Sequence, residues 1–137
     1  MSTATLTDNA TTVAKMYEAF GRGDINYILS QVADNCKWIG AGGDLLPAGG
    51  TYTGKEAINF FMRLNESVEF TSFNPIAIHN IGEDEVVAFG NMTGTSKATG
   101  KQTSSDWVMH WKFNDEGKVV YFQDFFDTAA AYIANQQ

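Results

Sequence analysis

Apolar residues recur every three or four positions in the first part of the chain and every second position in the later part. The sequence therefore predicts helices followed by strands. Val13, Met16, Tyr17 and Phe20 form a helical stripe that opens between Asp8 and Thr12 and closes near Gly21. Asp24 is placed to cap a second helix whose stripe is Ile25, Ile28, Leu29 and Val32, giving a helical hairpin that turns at Gly21-Arg22-Gly23. The period then changes. Cys36, Trp38 and Gly40 alternate with Lys37 and Ile39 as a short strand, followed by a Gly-rich loop from Ala41 to Gly50. Gly54 to Leu64 predicts a third helix, with Ala57, Ile58, Phe61 and Leu64 inward and Lys55, Glu56 and Arg63 toward water.

From Val68 onward strand follows strand. Val68 to Phe73 and Ile76 to Ile81 read as one bent strand, because Pro75 has no N–H to give a ladder and marks an edge or a bulge. After a turn at Gly82-Glu83-Asp84, Val86 to Ser96 makes a long strand. Val87, Phe89, Asn91 and Thr93 share its expected inward face, and Ala88, Gly90, Met92 and Gly94 the other. Gly100-Lys101 turns the chain into a final hairpin, and Thr128 to Ala134 adds a short helix. Helices first and antiparallel strands last predict an α+β domain, one unit over residues 1–137, with helices packed on one face of a curved sheet.

The hairpin carries the chemistry. Trp107, Met109, Trp111 and Phe113 share one face of its first strand, and Asp106, Val108, His110 and Lys112 the other. With a four-residue loop from Asn114 to Gly117, Phe113 lies opposite Lys118, and Val120, Phe122, Asp124 and Phe126 join the Trp face. A loop one residue longer would turn Asp124 outward. In an aromatic wall a carboxyl resists ionisation, which raises its pKa toward neutrality and suits it to general acid or base work.

Composition narrows the partners. The 137 residues include ten Phe, five Tyr and three Trp, an aromatic content that suggests a lined cavity or an apolar interface, although additional core explains it too. Nine basic against sixteen acidic residues give a net charge of -7 with no basic stripe, which argues against nucleic acid as a partner. The lone Cys36 has no internal disulfide partner, and MSTATLTDNATT lacks a signal-peptide pattern. The expected setting is the cytoplasm, without membrane attachment, and the Asn65-Glu66-Ser67 and Asn91-Met92-Thr93 sequons are then chance matches.

GRGDINYILSQVAD in the helical hairpin, YTGKEAINFF on the third helix and DEGKVVYFQDFFDT at the end together resemble the nuclear transport factor 2-like superfamily, over nearly the whole chain. Within it the sequence is most similar to SnoaL-like polyketide cyclases and ketosteroid-isomerase-related proteins. The resemblance implies a cone-shaped fold, a curved mixed or antiparallel sheet wrapped around the N-terminal helices and enclosing an apolar pocket. It implies little about activity, because one fold hosts isomerases, cyclases, hydrolases and binding modules. Tyr17 matches the first-helix Tyr of ketosteroid isomerase, but Gly40 and Met109 stand where its base and second acid would be, so steroid isomerisation is not expected. YFQDFFD resembles the last strand of limonene epoxide hydrolase, with Asp124 at a catalytic Asp. The accompanying Arg and Asp are missing from the Val87, Phe89, Asn91, Thr93 face. The cyclases also carry an acid/base Asp on this strand.

Asp124 is the leading catalytic candidate, as a proton shuttle against Trp107, Trp111 and Phe122; the structural alternative is a sheet-end carboxylate bonded to loop amides. Tyr17 is the second, a hydroxyl donor to a substrate oxygen or else a packed core residue. Asn91 is a candidate to orient a ligand, and Trp38, Trp107, Met109, Trp111 and Phe122 to line the pocket without doing chemistry. His110 falls outside by parity, His79 is distant from it, no metal motif is formed, and Cys36 reads as a buried small hydrophobe. The expected function is a cofactor-free acid/base enzyme of isomerase, cyclase or lyase type on a small apolar or aromatic carbonyl compound. The alternative is a ligand-binding or dimerisation domain without catalysis. In either case the outer sheet face, with Val108, His110, Tyr121, Gln123 and Phe125, suits a homodimer.

Overall fold

The structure is a computed structural model that describes residues 8–137. Helix α1 (Asn9–Gly21) starts where the Asp8 carboxylate accepts the Thr11 N–H at 2.9 Å. Helix α2 (Ile25–Ser30) is capped in the same way by Asp24, which accepts from Tyr27 N at 3.1 Å. The glycine that reverses the chain between them is Gly23, with φ 74, rather than Gly21, which remains helical. Strand β1 (Val32–Gly40), strand β2 (Gly50–Thr53), helix α3 (Ala57–Ser67), strands β3 (Val68–Asn80), β4 (Glu85–Ser96), β5 (Gln102–Phe113) and β6 (Val119–Phe126), and helix α4 (Thr128–Ala134) complete the chain. None of the described helices is long and apolar enough to cross a membrane.

The strands form one mixed sheet in the order β2-β1-β6-β5-β4-β3, with β1 and β6 parallel and the other neighbours antiparallel. Register breaks in β1, β3 and β6 bend it around the helices. Pro75 sits on the edge strand β3 beside one of these breaks, as its missing N–H requires. Two elements differ from expectation. Val32 leaves the α2 stripe and begins β1, because its buried side chain points into the sheet-side core, and Gly50, the last residue of the expected loop, opens a strand to Thr53 that pairs with β1. On α3 the fully inward residues are Ala57 and Phe60, with Ile58, Phe61 and Leu64 half-buried.

The face of β4 is the opposite of the expected one. Val86, Ala88 and Gly90 pair with Trp111, Met109 and Trp107 and so share their inward face, while Val87, Phe89, Asn91 and Thr93 point out. The sequence misleads here because both sets contain apolar residues. The small set is inward because the large aromatics of β5 need its space: a Cβ on Gly90 would lie 2.3 Å from the Trp107 ring.

The β5–β6 hairpin reaches its predicted faces by an unpredicted route. Asn114 N–H donates to Lys118 O and Gly117 N–H to Asn114 O, with Gly117 at φ 76, so the loop proper is Asp115 to Gly117, three residues and not four. Phe113 then pairs with Val119, which would have turned Asp124 outward. Lys112, however, pairs with Tyr121, leaving Val120 as an extra residue on β6 that restores the parity. Trp111 faces Phe122 and Met109 faces Asp124. Val119, not Val120, is therefore the fully buried residue at the start of the strand.

Candidate functional site

Between the helices and the concave face lies a cavity of about 150 Å³. Aromatic rings build most of its wall. Trp38 of β1 stacks on Phe122 of β6 with centroids 4.0 Å apart, a consequence of the parallel β1–β6 register that sets them side by side. Trp107 stacks on Phe73 of β3 at 5.0 Å, and the α1 stripe lowers Tyr17 between Trp107 and Trp111, at 5.4 and 6.0 Å. One end of the cavity is more polar: Ser96, Thr103, Ser105 and Asn135 line it where α4 meets β4 and β5. There Ser96 Oγ donates to Asn135 Oδ1 at 2.6 Å, and Asp127 caps α4 through Ala130 N.

Asp124 reaches this wall from β6 and is 6% exposed. Its Oδ1 accepts the backbone N–H of Ala41 at 2.6 Å, at the point where β1 passes into the 41–49 loop. Burial among aromatics pushes its pKa up from 3.8 to about 6, and the Ala41 amide holds it from rising further. The proton is thus exchangeable near neutrality, which is the property general acid/base chemistry requires. The carboxylate lines the cavity and also takes a loop amide, the bond that the structural alternative expects. Gly40 is required at this junction: a Cβ there would meet Ala48 O at 2.3 Å.

Tyr17 donates its hydroxyl to Met109 Sδ at 3.0 Å. A thioether is a weak acceptor, so this hydroxyl is poorly satisfied. Burial raises its pKa, the nearby Trp111 indole N–H opposes that rise, and the Asp124 charge adds to it. Tyr17, Met109, Asp124 and Trp111 are thereby one neighbourhood.

Two further donors went unnoticed at the level of sequence. Trp38 and Trp111 are 1% and 3% exposed, and their Nε1 atoms have no hydrogen-bond partner among the described residues. Each such buried N–H costs about 1–3 kcal/mol if nothing else meets it. Trp107, by contrast, donates Nε1–H to Asn91 O at 3.1 Å.

The expectation for Asn91 is corrected. Its side chain lies on the outer face, where Oδ1 accepts from Asn74 Nδ2 across the β3–β4 ladder at 2.9 Å, and it does not reach the cavity. Trp38, Trp107, Met109, Trp111 and Phe122 do line it, joined by Phe60, Phe73 and Met92. The signal for Met92 was the run of small residues Ala88, Gly90 and Gly94 on its face. His110 points outward, with Nε2 2.7 Å from Glu85 Oε1, and His79 is exposed on the edge strand. Cys36 is fully buried and its thiol is pushed up to about 12 by desolvation, so it is a packing residue and not a nucleophile.

These features define a helix-and-sheet pocket protein with one buried carboxyl in an aromatic wall. Residues 13–122 match the model of the SnoaL-like domain family, and the chain belongs to that family, within the nuclear transport factor 2-like superfamily. The solved structure of an NTF2-like protein from Burkholderia thailandensis E264 is 30% identical, with a TM-score of 0.86 over 96% of this chain and 100% of its own. Among curated proteins, patulin biosynthesis cluster protein F of Penicillium expansum is 30% identical over 123 residues, covering 80% of this chain. Patulin synthesis protein F of Aspergillus clavatus is 32% identical over 96 residues, 64% of this chain. The chain spans 60% and 47% of the lengths of these two relatives.

Proposed function

We propose that this chain binds a small, mostly apolar carbonyl compound and moves a proton on it, with Asp124 as general acid/base and Tyr17 donating a hydrogen bond. The observation that carries the reading is Asp124 itself, a carboxyl held near pKa 6 at the wall of an aromatic cavity. Two curated relatives named for patulin synthesis support small-molecule chemistry of this kind. A proton taken from carbon beside a carbonyl leaves charge on the oxygen, which a hydroxyl such as Tyr17 stabilises. The test is deuterium exchange. A panel of cyclic ketones in deuterated water, followed by NMR, should exchange α-protons with the wild-type protein and not with Asp124→Asn, while both bind. Equal exchange by the two proteins would remove Asp124 from the chemistry.

A second reading, binding without turnover, is favoured by Met109, which sits directly across from Asp124 where a second acid would complete a pair. It expects binding by both proteins and exchange by neither.

The reading includes a homodimer and a cytoplasmic setting, in which the unpaired Cys36 stays reduced. Support for the dimer comes from the outer sheet face. Phe89, Val108 and Phe125 lie side by side across β4, β5 and β6, and both Phe side chains are nearly half exposed, at 44% and 47%.

A further inference from the structure

Among the groups around Tyr17, two buried donors lack a strong acceptor. The Tyr17 hydroxyl donates to a thioether, and the Trp111 indole N–H, close enough to the Tyr17 oxygen to lower that hydroxyl's pKa, makes no well-formed hydrogen bond among the described residues. Trp111 is held in place by its neighbours. It meets Tyr17 edge-on at 86° and Phe122 at a centroid distance of 4.6 Å, so the indole has little freedom to seek an acceptor elsewhere. A buried donor is normally met by a strong acceptor, and neither of these is.

We propose that Trp111 Nε1–H and the Tyr17 hydroxyl form the oxygen-binding donor pair of the cavity, and that the ligand is a neutral single-ring ketone or enone whose carbonyl oxygen accepts from them. This rests on the reading of Asp124 as the acid/base group and adds to it a binding residue and a ligand class. Size sets the single ring: about 150 Å³ is the volume that holds one benzene-sized molecule, far below a fused polycyclic compound. Charge sets neutrality, because Asp124 beside the pair and a net charge of -7 both oppose an anion. The wall of stacked rings favours a flat, apolar body. Trp111 thus acts as a hydrogen-bond donor in addition to lining the pocket.

Protein labelled with nitrogen-15 at its three tryptophans gives three indole N–H signals, assigned with Trp111→Phe and Trp38→Phe. Titration with cyclohex-2-enone should move the Trp111 signal downfield and leave that of Trp107, already bonded to Asn91 O, nearly in place. Cyclohexene, the same size without the oxygen, should give no downfield shift. Trp111→Phe and Tyr17→Phe should each weaken enone binding about tenfold while changing cyclohexene binding less than about twofold. Equal shifts with both probes, equal loss of both affinities, or no enone binding at its solubility limit would each overturn the proposal. If Trp111→Phe does not fold, the wild-type indole shift decides alone. Loss of the Trp111 effect with Asp124-dependent exchange intact would sink this inference and leave the proposed function standing. Enone binding through Trp111 without exchange would do the reverse.

Discussion

Met109 stands directly opposite Asp124 on the β5–β6 ladder, and its sulfur, 3.0 Å from the Tyr17 hydroxyl, occupies that hydroxyl's hydrogen bond. One residue thereby separates the two polar candidates of the cavity and keeps Asp124 without a companion acid. Its softness suits both contacts, since a thioether packs like a hydrocarbon and accepts only weakly.

Replacing Met109 by Asp would put two carboxyls in adjacent positions of one buried ladder. Like charges there cannot both ionise cheaply, so one of the pair should titrate well above 6. Met109→Asp is expected to lose several kcal/mol of stability between pH 5 and pH 8, a steeper loss than wild type shows. Urea unfolding across that range measures it, and parallel curves for the two proteins would contradict it.

Asp124 alone makes stability depend on pH in an unusual sense for a carboxyl. Its folded pKa of about 6 lies above the ordinary 3.8, so the folded protein binds this proton more tightly than the unfolded chain. The contribution is greatest in acid below the unfolded pKa, declines as pH rises through the window between the two values, and stays low above the folded one. The decline amounts to about 3 kcal/mol. Asp124→Asn keeps an acceptor for the Ala41 amide and removes the titration. It should match wild type near pH 4 and melt on the order of 5–10 °C higher at pH 7.5. In the proton-exchange assay the wild-type rate should show one ionisation near 6 that the variant lacks.

The Val120 bulge and the short loop correct each other, and a pair of edits tests that. Deleting Val120 should leave a regular ladder, with Phe113 opposite Val119, Lys112 opposite Tyr121 and Asp124 still opposite Met109, and cost less than about 2 kcal/mol. Inserting one residue between Tyr121 and Phe122 should instead drive Phe122, Asp124 and Phe126 to the outer face and cost more than about 4 kcal/mol. Thermal melts of the two variants, with near-ultraviolet circular dichroism for the tryptophans, read the outcome; loss of the native tryptophan signal on deleting Val120 would mean the bulge serves some other purpose.

On the outer face, Phe125→Asp should turn the proposed dimer into monomers, because it leaves an unpaired charge at the β6 end of the Phe89–Val108–Phe125 row. Light scattering coupled to size exclusion gives the mass directly. A wild-type monomer at high concentration would refute the dimer outright.

Much of the fold was legible because each element kept one period. The α1 stripe, the bent β3 around Pro75 and the alternation along β5 all read correctly from apolar spacing. What failed has local causes. On β4 the inward residues are small because Trp107 needs the room over Gly90, and a rule that sends large apolar residues inward cannot see that demand. Asn91 was misplaced with its whole face. Strand β2 was too short and too close to glycines to show a period, and the Ala41 amide, being backbone, leaves no mark in the residue pattern. Asp124 lies on the face its alternation predicts although the loop is one residue shorter than expected, because the bulge supplies the missing residue.

The amide that holds Asp124 belongs to a loop, and a hydrogen bond that favours the charged carboxylate must itself be favoured by that charge. Whatever free energy the Ala41 N–H lends to deprotonation, a proton arriving on Asp124 withdraws from the docking of residues 41 to 49. Proton transfer in the cavity and the seating of this segment over it are therefore two readings of a single equilibrium. A carboxyl held this way loosens its own cover each time it takes up a proton.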